Sequence, residues 1–482
     1  MAAATLDFDS CYRALSARDP RFDGRFYTAV TSTNIYCRPI CPARTPHARN
    51  VRFYRHAASA EAAGFRPCKR CRPELSPGDP GWNIRGDLVG RALRLIDEGV
   101  ADDHGVNGLA GRLHITERHL HRLFVAELGV GPLAVARTNR LLLAKQLLTE
   151  TPLPIGDVAF ASGFGSLRQF NAVMKDTYGF TPSELRATAR APRTEPEPVA
   201  VQTNGSAVLS MRLHYREPYD ARAMLAFLAG RAVPGLERVT THDYSRAIPG
   251  GTITLTPERD YVRLCARLHD AQHLARIVAR SRRLLDLDAD PHPIAAALGT
   301  TALATLIEAR PGLRVPGAYD TFEMAVRGVV GQQISVAGAR TLLGRLIARP
   351  GLGTSVTTGD PGLTHVFPTA ERLAGADLAG LGFTTRRAET IRVLASRIAA
   401  GDIDLDGGQE PGEVMARLQE VPGIGPWTAS YIALRALNDP DAWPEGDLGL
   451  RRAMENLSIT DRQIERCRPW RAYAALHLWS SS

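Results

Sequence analysis

Four cysteines fall inside one 35-residue window of this 482-residue chain, as Cys37-x3-Cys41 and Cys68-x2-Cys71. Two close pairs let two thiolates of one turn point at a single ion, and the second pair closes a tetrahedron around it. Zinc favours such a four-sulfur shell. A domain of about 75 residues has little core and is commonly stapled, so the spacing alone also allows a purely structural metal. The seven cysteines are odd in number, with the others at 11, 265 and 467, and Met1–Asp9 has no basic segment followed by an apolar one. These features predict a metal site in a reducing, cytoplasmic setting rather than a secreted disulfide framework.

At 44% apolar and 23% charged residues, most of the chain has the means to bury cores. It holds no 18-residue apolar run, so no membrane span is expected. The net charge of +9 is unevenly placed: residues 1–190 carry 26 basic and 18 acidic side chains, and residues 1–75 alone carry 13 and 6. A basic N-terminal part predicts a polyanion partner. Among the 59 basic residues only Lys69, Lys145 and Lys175 are lysines.

Pro/Gly-rich residues 73–85 and the Pro, Thr, Glu, Asn and Gly mixture of 188–206 break the chain into blocks. The expected divisions are 1–75, 85–187, a linker at 188–206, 208–290 and 291–482. The middle block repeats internally: Leu120, Phe124, Gly129 and Pro132 recur fifty residues on as Phe170, Met174, Gly179 and Pro182. Each copy reads as a short helix, a tight turn and an amphipathic helix ending at Gly, so two helix-turn-helix units are predicted. The third block opens with strand-like alternation at Val208–Tyr215, Thr252–Leu255 and Tyr261–Leu264, and is helical in pattern after Pro291. The fold class is therefore multidomain α+β: a small zinc domain, an all-α double helix-turn-helix domain, and an α+β subdomain joined to a helical part.

Arg38, Arg44, Arg49, Arg52, Arg66, Lys69, Arg70 and Arg72 surround the cysteine pairs. A metal-held thiolate is nucleophilic at neutral pH, and basic neighbours would bring a phosphate backbone to it. The stretches Phe26–Val30, Tyr36-Cys37-Arg38-Pro39-Ile40-Cys41 and Gly64-Phe65-Arg66-Pro67-Cys68-Lys69-Arg70-Cys71 resemble the N-terminal sensor of the Ada family. The resemblance implies that Cys37 accepts a methyl group from a DNA methylphosphotriester, with Cys41, Cys68 and Cys71 as the other ligands of one zinc ion. Arg38, Arg44, Arg66 and Arg70 are the expected DNA contacts. Transfer would take a four-thiolate zinc centre from −2 to −1, worth on the order of 1 kcal/mol or more towards a phosphate at ~5 Å.

In the two helix-turn-helix units, Arg118, His119 and Arg122 project from the first apolar stripe, and Arg168, Gln169 and Asn171 from the second. Arg, Asn and Gln read base edges bidentately. With Gly179-Phe180-Thr181-Pro182, the block resembles the AraC-type DNA-binding domain, which implies promoter DNA and RNA polymerase as partners.

Val421-Pro422-Gly423-Ile424-Gly425-Pro426-Trp427 reads as a tight hairpin between helices, whose backbone N–H groups at Gly423 and Gly425 can meet a phosphate. Asp447 follows Trp427 by twenty residues, after Gly446. It suits a helix N-cap, and equally a carboxylate that stabilises an oxocarbenium-like sugar. From about Val208 to Trp479 the block resembles the AlkA-type 3-methyladenine-DNA glycosylases, through Pro218-Tyr219-Asp220, Phe227–Val233, Arg310–Gly317, Gly331-Gln332-Gln333-Ile334-Ser335 and His477-Leu478-Trp479. The resemblance implies catalysis by Asp447, a base pocket of Trp427, Tyr431, Trp479 and Gln332, and a monovalent cation at the hairpin. Electron-rich rings suit cationic N-alkylpurines, flipped out of double-stranded DNA. Gln333 stands where a leucine wedge is expected.

The block has no lysine after residue 175, so no lysine Schiff base forms there and a monofunctional hydrolase is expected. Cys265 and Cys467 are its only cysteines, too few for an iron–sulfur cluster. The Pro-Cys-His-Arg motif of alkylguanine methyltransferases is absent. A cytoplasmic, nucleoid-associated monomer that both repairs alkylated DNA and activates transcription is the resulting expectation.

Overall fold

Strands Tyr27–Val30 (β1), Ile35–Cys37 (β2), Val51–Tyr54 (β3) and Arg66–Pro67 (β4) form a sheet of order β3-β1-β2-β4. β1 runs antiparallel to β2 and β3, while β2 and β4 are parallel. Tyr36 pairs with Pro67, so Cys37 at the end of β2 and Cys68 just past β4 arrive side by side. The apolar face is small, built on Ala29, Tyr36, Ala57, Ala60 and Phe65. This computed structural model describes residues 6–81, 88–189 and 207–481. The chain divides into two units, Met1–Arg216 with Arg267–Ala279, and Glu217–Ala266 with Arg280–Ser482. The expected linker lies outside the described residues, apart from its first two positions.

In the first unit the predicted repeat is realised as Val100–Arg112, two helical pieces broken at Gly105 (φ 66°), with helix Glu117–Leu128, then helices Ile155–Ala161 and Leu167–Tyr178. Thr116 and Ser166 cap the second helix of each pair by accepting a backbone N–H. Leu120, Phe124, Phe170 and Met174 are fully buried. Gly129 and Gly179 end these helices at φ 77° and 71°, where a side chain would be strained. A long helix, Pro132–Glu150, joins the two pairs.

This long helix also carries the zinc domain. Glu61 accepts the Tyr36 hydroxyl at 2.9 Å and the Thr138 hydroxyl at 2.6 Å, and burial pushes its carboxyl up. The Lys145 ammonium bonds Glu74 at 2.8 Å and the Cys68 carbonyl at 3.3 Å. Arg72 bonds Thr149 and Glu150. At the start of the expected break at 73–85, residues 73–75 pack on this helix. Glu74 is a buried carboxylate between Arg72 and Lys145, and burying it unpaired would be costly. Pro and Gly content signalled a loop, and this loop is packed.

In the second unit, Glu237–Val239 (β6, with β5 being Ala207–His214 of the first unit), Tyr244–Ile248 (β7), Gly251–Pro257 (β8) and Tyr261–Leu268 (β9) lie in the order β9-β8-β7-β6. β7 is antiparallel to β6 and β8. The sequence reading found β8 and β9 but not β7, all five residues of which are buried, so it has no alternation to detect. Arg246 in β7 is buried with Glu237 and with Glu323 of helix Thr321–Val330, and Arg327 of that helix returns to Glu237 at 2.6 Å. Helices Thr321–Val330, Val336–Ala348, Thr385–Ala399, Pro411–Gln419 and Pro426–Arg435 enclose an apolar core around Val329, Leu346, Leu394, Val414 and Ile432. Gly328 lets two of them approach closely, since a Cβ there would meet Ile432 at 3.2 Å.

His56 caps helix Ala57–Ala62 by accepting the Ala58 N–H on Nδ1, and burial lowers its pKa to about 4. A folded pKa below the unfolded value of about 6.5 means that the stability of the neutral cap is complete above pH 6.5 and lost as pH falls towards 4. His56→Asn keeps a capping acceptor without the titration. Melting of the first unit followed from pH 7 to 4 is expected to fall less steeply in this variant than in the parent.

Candidate active site and metal centre

Asp447 is the N-cap of helix Leu448–Asn456, and its Oδ1 accepts the Leu450 N–H at 2.9 Å. The capping and catalytic readings therefore meet in one side chain. The same Oδ1 accepts the Trp479 indole N–H at 3.0 Å, and Oδ2 accepts that of Trp427 at 2.9 Å. Three donors from three helices fix the carboxylate plane. Gly449 makes room for this clamp: a Cβ there would lie 3.1 Å from Asp447 Oδ1 and 3.3 Å from the Trp479 ring.

The clamp borders a cavity of about 520 Å³, lined by Trp427, Tyr431, Asp447 and Trp479 among others. Trp427 and Tyr431, one helical turn apart, stack with centroids 5.4 Å apart and planes 9° from parallel. Sequence reasoning missed the charged lining, which includes Arg231, Glu237, Arg246, Glu323, Arg327 and Arg435. Their signal was faint, because an arginine on an apolar helix face reads as surface until its acceptors are known.

Gln332, expected in the base pocket, is not among the residues that border this cavity. Its amide donates to the Gly423 carbonyl and to Thr428 Oγ1, both at 2.9 Å, tying the end of helix Thr321–Val330 to the hairpin. Gln333 beside it is exposed and held at φ 55°. At the hairpin, Gly423 has φ 96° and packs on Thr390, whose hydroxyl donates to the Pro422 carbonyl at 2.7 Å. Gly425 is exposed and starts helix Pro426–Arg435, with no side chain capping that helix's first N–H groups.

In the first unit the Sγ atoms of Cys37, Cys41, Cys68 and Cys71 all lie within 4.8 Å of one another. A zinc tetrahedron with bonds of about 2.3 Å has edges of about 3.8 Å, so the set fits. The Arg38 and Arg70 backbone N–H groups point at Cys71 and Cys68 sulfurs, at 3.3 and 3.4 Å. Hydrogen bonding with Cys41, Cys68 and Cys71, and then burial, pushes the Cys37 thiol up. Four sulfurs so crowded need a cation among them to be anionic together. Zinc is the metal this donor set takes.

Arg38 is corrected as a DNA contact. Its guanidinium is buried, paired with Asp23 and bonded to the Cys71 carbonyl at 3.1 Å. It braces the metal loop from behind. Arg44, Arg66 and Arg70 are exposed, as are Arg118, Arg122, Arg168, Gln169 and Asn171, while His119 is half-buried and bonded to Arg122.

A zinc-thiolate domain, paired helix-turn-helix units and a helix-hairpin-helix cavity define a DNA-binding repair protein of several domains. Family profiles match in the same order: "Metal binding domain of Ada" over 10–74, "Helix-turn-helix domain" over 109–188, "AlkA N-terminal domain" over 210–320, and "HhH-GPD superfamily base excision DNA repair protein" over 326–471. The chain is 45% identical over 486 residues to the probable bifunctional transcriptional activator/DNA repair enzyme AlkA of Mycobacterium tuberculosis (strain CDC 1551 / Oshkosh), covering 98% of this chain and 96% of that one. It is 36% identical to DNA-3-methyladenine glycosylase 2 of Escherichia coli (strain K12), over 55% of this chain and 95% of the other. It is 35% identical to the bifunctional transcriptional activator/DNA repair enzyme Ada of the same organism, over 38% of this chain and 50% of the other. The chain belongs to the family of bifunctional transcriptional activator/DNA repair enzymes AlkA, in which an Ada-type zinc domain precedes an AlkA-type glycosylase. Among the described residues, no helix is long and apolar enough to cross a membrane.

Trp427→Phe keeps a ring in place and removes the N–H that holds Asp447 Oδ2. Leaving that oxygen without its donor costs ~1–3 kcal/mol. Single-turnover base release from methylated DNA is expected to slow about tenfold to a hundredfold, with the melting of the second unit lowered by only a few degrees. Stripping zinc with a chelator is expected to lower the melting of the first unit and leave the second in place. Calorimetry with a parallel metal determination checks this.

Proposed function

We propose that Asp447 drives hydrolysis of the N-glycosidic bond of alkylated purines such as 3-methyladenine, and that Cys37 is the methyl acceptor of the zinc domain. The carrying observation is the clamp on Asp447: a carboxylate fixed by two indoles at the edge of an aromatic cavity, beside a hairpin suited to phosphate. As the C1′–N bond breaks, the base leaves with the bonding electrons, and positive charge grows on the sugar. Asp447 stabilises that charge and takes a proton from the water whose oxygen bonds C1′. Trp427 and Trp479 hold the carboxylate and flank the flipped base, while Gly423 and Gly425 present backbone N–H groups to the DNA backbone. Gln333, exposed beside the cavity, fills the gap in the duplex by hydrogen bonding.

In the zinc domain, the Cys37 sulfur attacks the methyl carbon of a phosphotriester. The carbon–oxygen bond breaks, the phosphodiester leaves as an anion, and a thioether remains. Bound zinc, held by Cys37, Cys41, Cys68 and Cys71, keeps the sulfurs deprotonated for this attack. Loss of one negative charge strengthens the grip of Arg44, Arg66 and Arg70 on phosphate. Arg118, His119, Arg122, Arg168, Gln169 and Asn171 then read the promoter. The same reading includes RNA polymerase as partner of the methylated form, a monovalent cation at the hairpin, and a monomer working at the nucleoid.

Base release and promoter binding test the two halves separately. Asp447→Asn is expected to lose at least a hundredfold in release of 3-methyladenine while keeping methylation-dependent promoter binding. Cys37→Ser is expected to do the reverse. Unchanged release by the first variant, or unchanged methylation-stimulated binding by the second, refutes the corresponding role.

A further inference from the structure

Gln333 has its backbone at φ 55°, a left-handed conformation that a residue with a side chain keeps only where its surroundings hold it. Arg387 supplies part of that hold. Its Nη2 donates to the Gln332 carbonyl at 2.5 Å, which fixes the peptide plane from which Gln333 departs. Arg387 belongs to helix Thr385–Ala399, and Thr390, one turn on, donates its hydroxyl to the Pro422 carbonyl of the hairpin at 2.7 Å. One helix face therefore grips both the loop at Gln333 and the hairpin. The Gln332 side chain joins the two directly. Its Nε2 donates to the Gly423 carbonyl and to Thr428 Oγ1, both at 2.9 Å. A carbonyl only accepts, so the amide must face the hairpin with its nitrogen. Thr428 follows Trp427 on helix Pro426–Arg435, so the same amide also reaches the helix that holds Asp447.

These bonds connect two devices that meet DNA at different places. Gln333 fills the gap in the duplex, and the hairpin N–H groups hold the backbone. Joined loosely, the hairpin can hold a duplex that stays closed. Joined rigidly, neither device engages without placing the other. We infer that Gln332 is a positioning residue that sets Gln333 in register with the Gly423–Gly425 hairpin, so that backbone grip and duplex opening form one cooperative event. The inference rests on the gap-filling reading of Gln333 above and deepens it. Gln332 acts through its two acceptors, and Arg387 supports it from the other side of the same residue. Placement of this kind matters to the reaction, because an error of about 1 Å at a group far from the chemistry can cost about a hundredfold in rate.

The test uses the full-length zinc-loaded protein and a duplex with 2-aminopurine beside a tetrahydrofuran abasic site, so that no bond is broken. Anisotropy gives affinity, and 2-aminopurine fluorescence, which brightens as the stack beside it opens, reports the duplex. Gln332→Met keeps the length of the side chain and removes both donated bonds. It is expected to lower the preference for the abasic over an undamaged duplex at least tenfold and to dim the signal of the saturated complex. Binding of undamaged duplex is expected to stay within threefold of the parent. A preference and a signal both unchanged within twofold overturn the inference. A cycle of Gln333→Ala with Gly425→Ala, which adds a methyl in open space at the hairpin, measures the coupling itself. In the parent the double variant is expected to lose at least fivefold less affinity than the product of the single losses, since either change disables the shared event. In the Gln332→Met background the losses are expected to multiply within twofold. Multiplying losses in the parent, or an equal shortfall in both backgrounds, also overturn it. If Gln332→Met does not fold, Arg387→Met removes the bond on the Gln332 carbonyl and is expected to lower the abasic preference in the same direction; a preference unchanged within twofold there overturns the inference. Failure of the gap-filling reading shows differently, as Gln333→Ala with the signal of the parent, and that result overturns both. A dimmed signal in Gln333→Ala with none in Gln332→Met overturns the inference alone.

Discussion

A buried guanidinium must find acceptors for its donors, and this requirement organises both units of the chain. Taking a charge out of water costs several kcal/mol unless it is paired and bonded. Arg38 meets the requirement with Asp23 and the Cys71 carbonyl, and so anchors a metal ligand. Arg246 and Arg327 meet it in part, pairing their Nη groups with Glu237 and Glu323 while each Nε stays without a partner among the described residues, and so join β6 and β7 to helix Thr321–Val330 at the cavity. Arg435 meets it with two carbonyls and Tyr431. Removing the carboxylate that pairs with Arg38 leaves an uncompensated buried charge, commonly worth ~3–5 kcal/mol. The groups that do chemistry are thus placed by residues that cannot move without a large penalty.

The same constraint alters the electrostatics of the zinc domain. Counting Arg38 towards the DNA-facing charge overstates it, since Asp23 cancels that cation inside the fold. Lys145 is likewise paired with Glu74 under the Cys68 loop, and Lys69 lies 3.6 Å from the Phe180 ring centroid. The exposed cations nearest the sulfurs are fewer than the sequence count suggests. A change of one charge at the sulfurs is correspondingly larger against what remains. In an arginine-rich chain, two of the three lysines meet at the contact between the metal loop and the helical domain, where a compact ammonium fits beside a carbonyl and a carboxylate.

Signals that are local in sequence were legible. Cysteine spacing named the metal ligands, and register Tyr36–Pro67 explains why two distant pairs meet. The fifty-residue repeat gave both helix-turn-helix units, because its apolar residues face one core and its glycines end helices where no side chain is tolerated. The twenty-residue step from Trp427 to Asp447 was visible, but not the indole bonds that give it meaning. Illegible features depend on partners far away in sequence. β7 is buried on both faces and shows no period. Arg38 and Gln332 sit inside recognisable motifs, yet their side chains turn inward to Asp23 and Gly423. Motif membership located these residues without saying which way they point.

The two proposed chemistries differ in what they leave behind. Asp447 returns to its starting state once the base departs and the proton is released, so one molecule can clear many lesions. Cys37 ends as a thioether, a poor leaving group, and the sulfur that carries the methyl cannot react again. One half therefore turns over while the other counts, and each count changes a charge at the buried sulfur cluster. A reaction that turns over leaves no lasting trace of past damage in the protein, and one that does not has no capacity to clear it. Joining them in one polypeptide ties the record of alkylation to the supply of the activity that removes it.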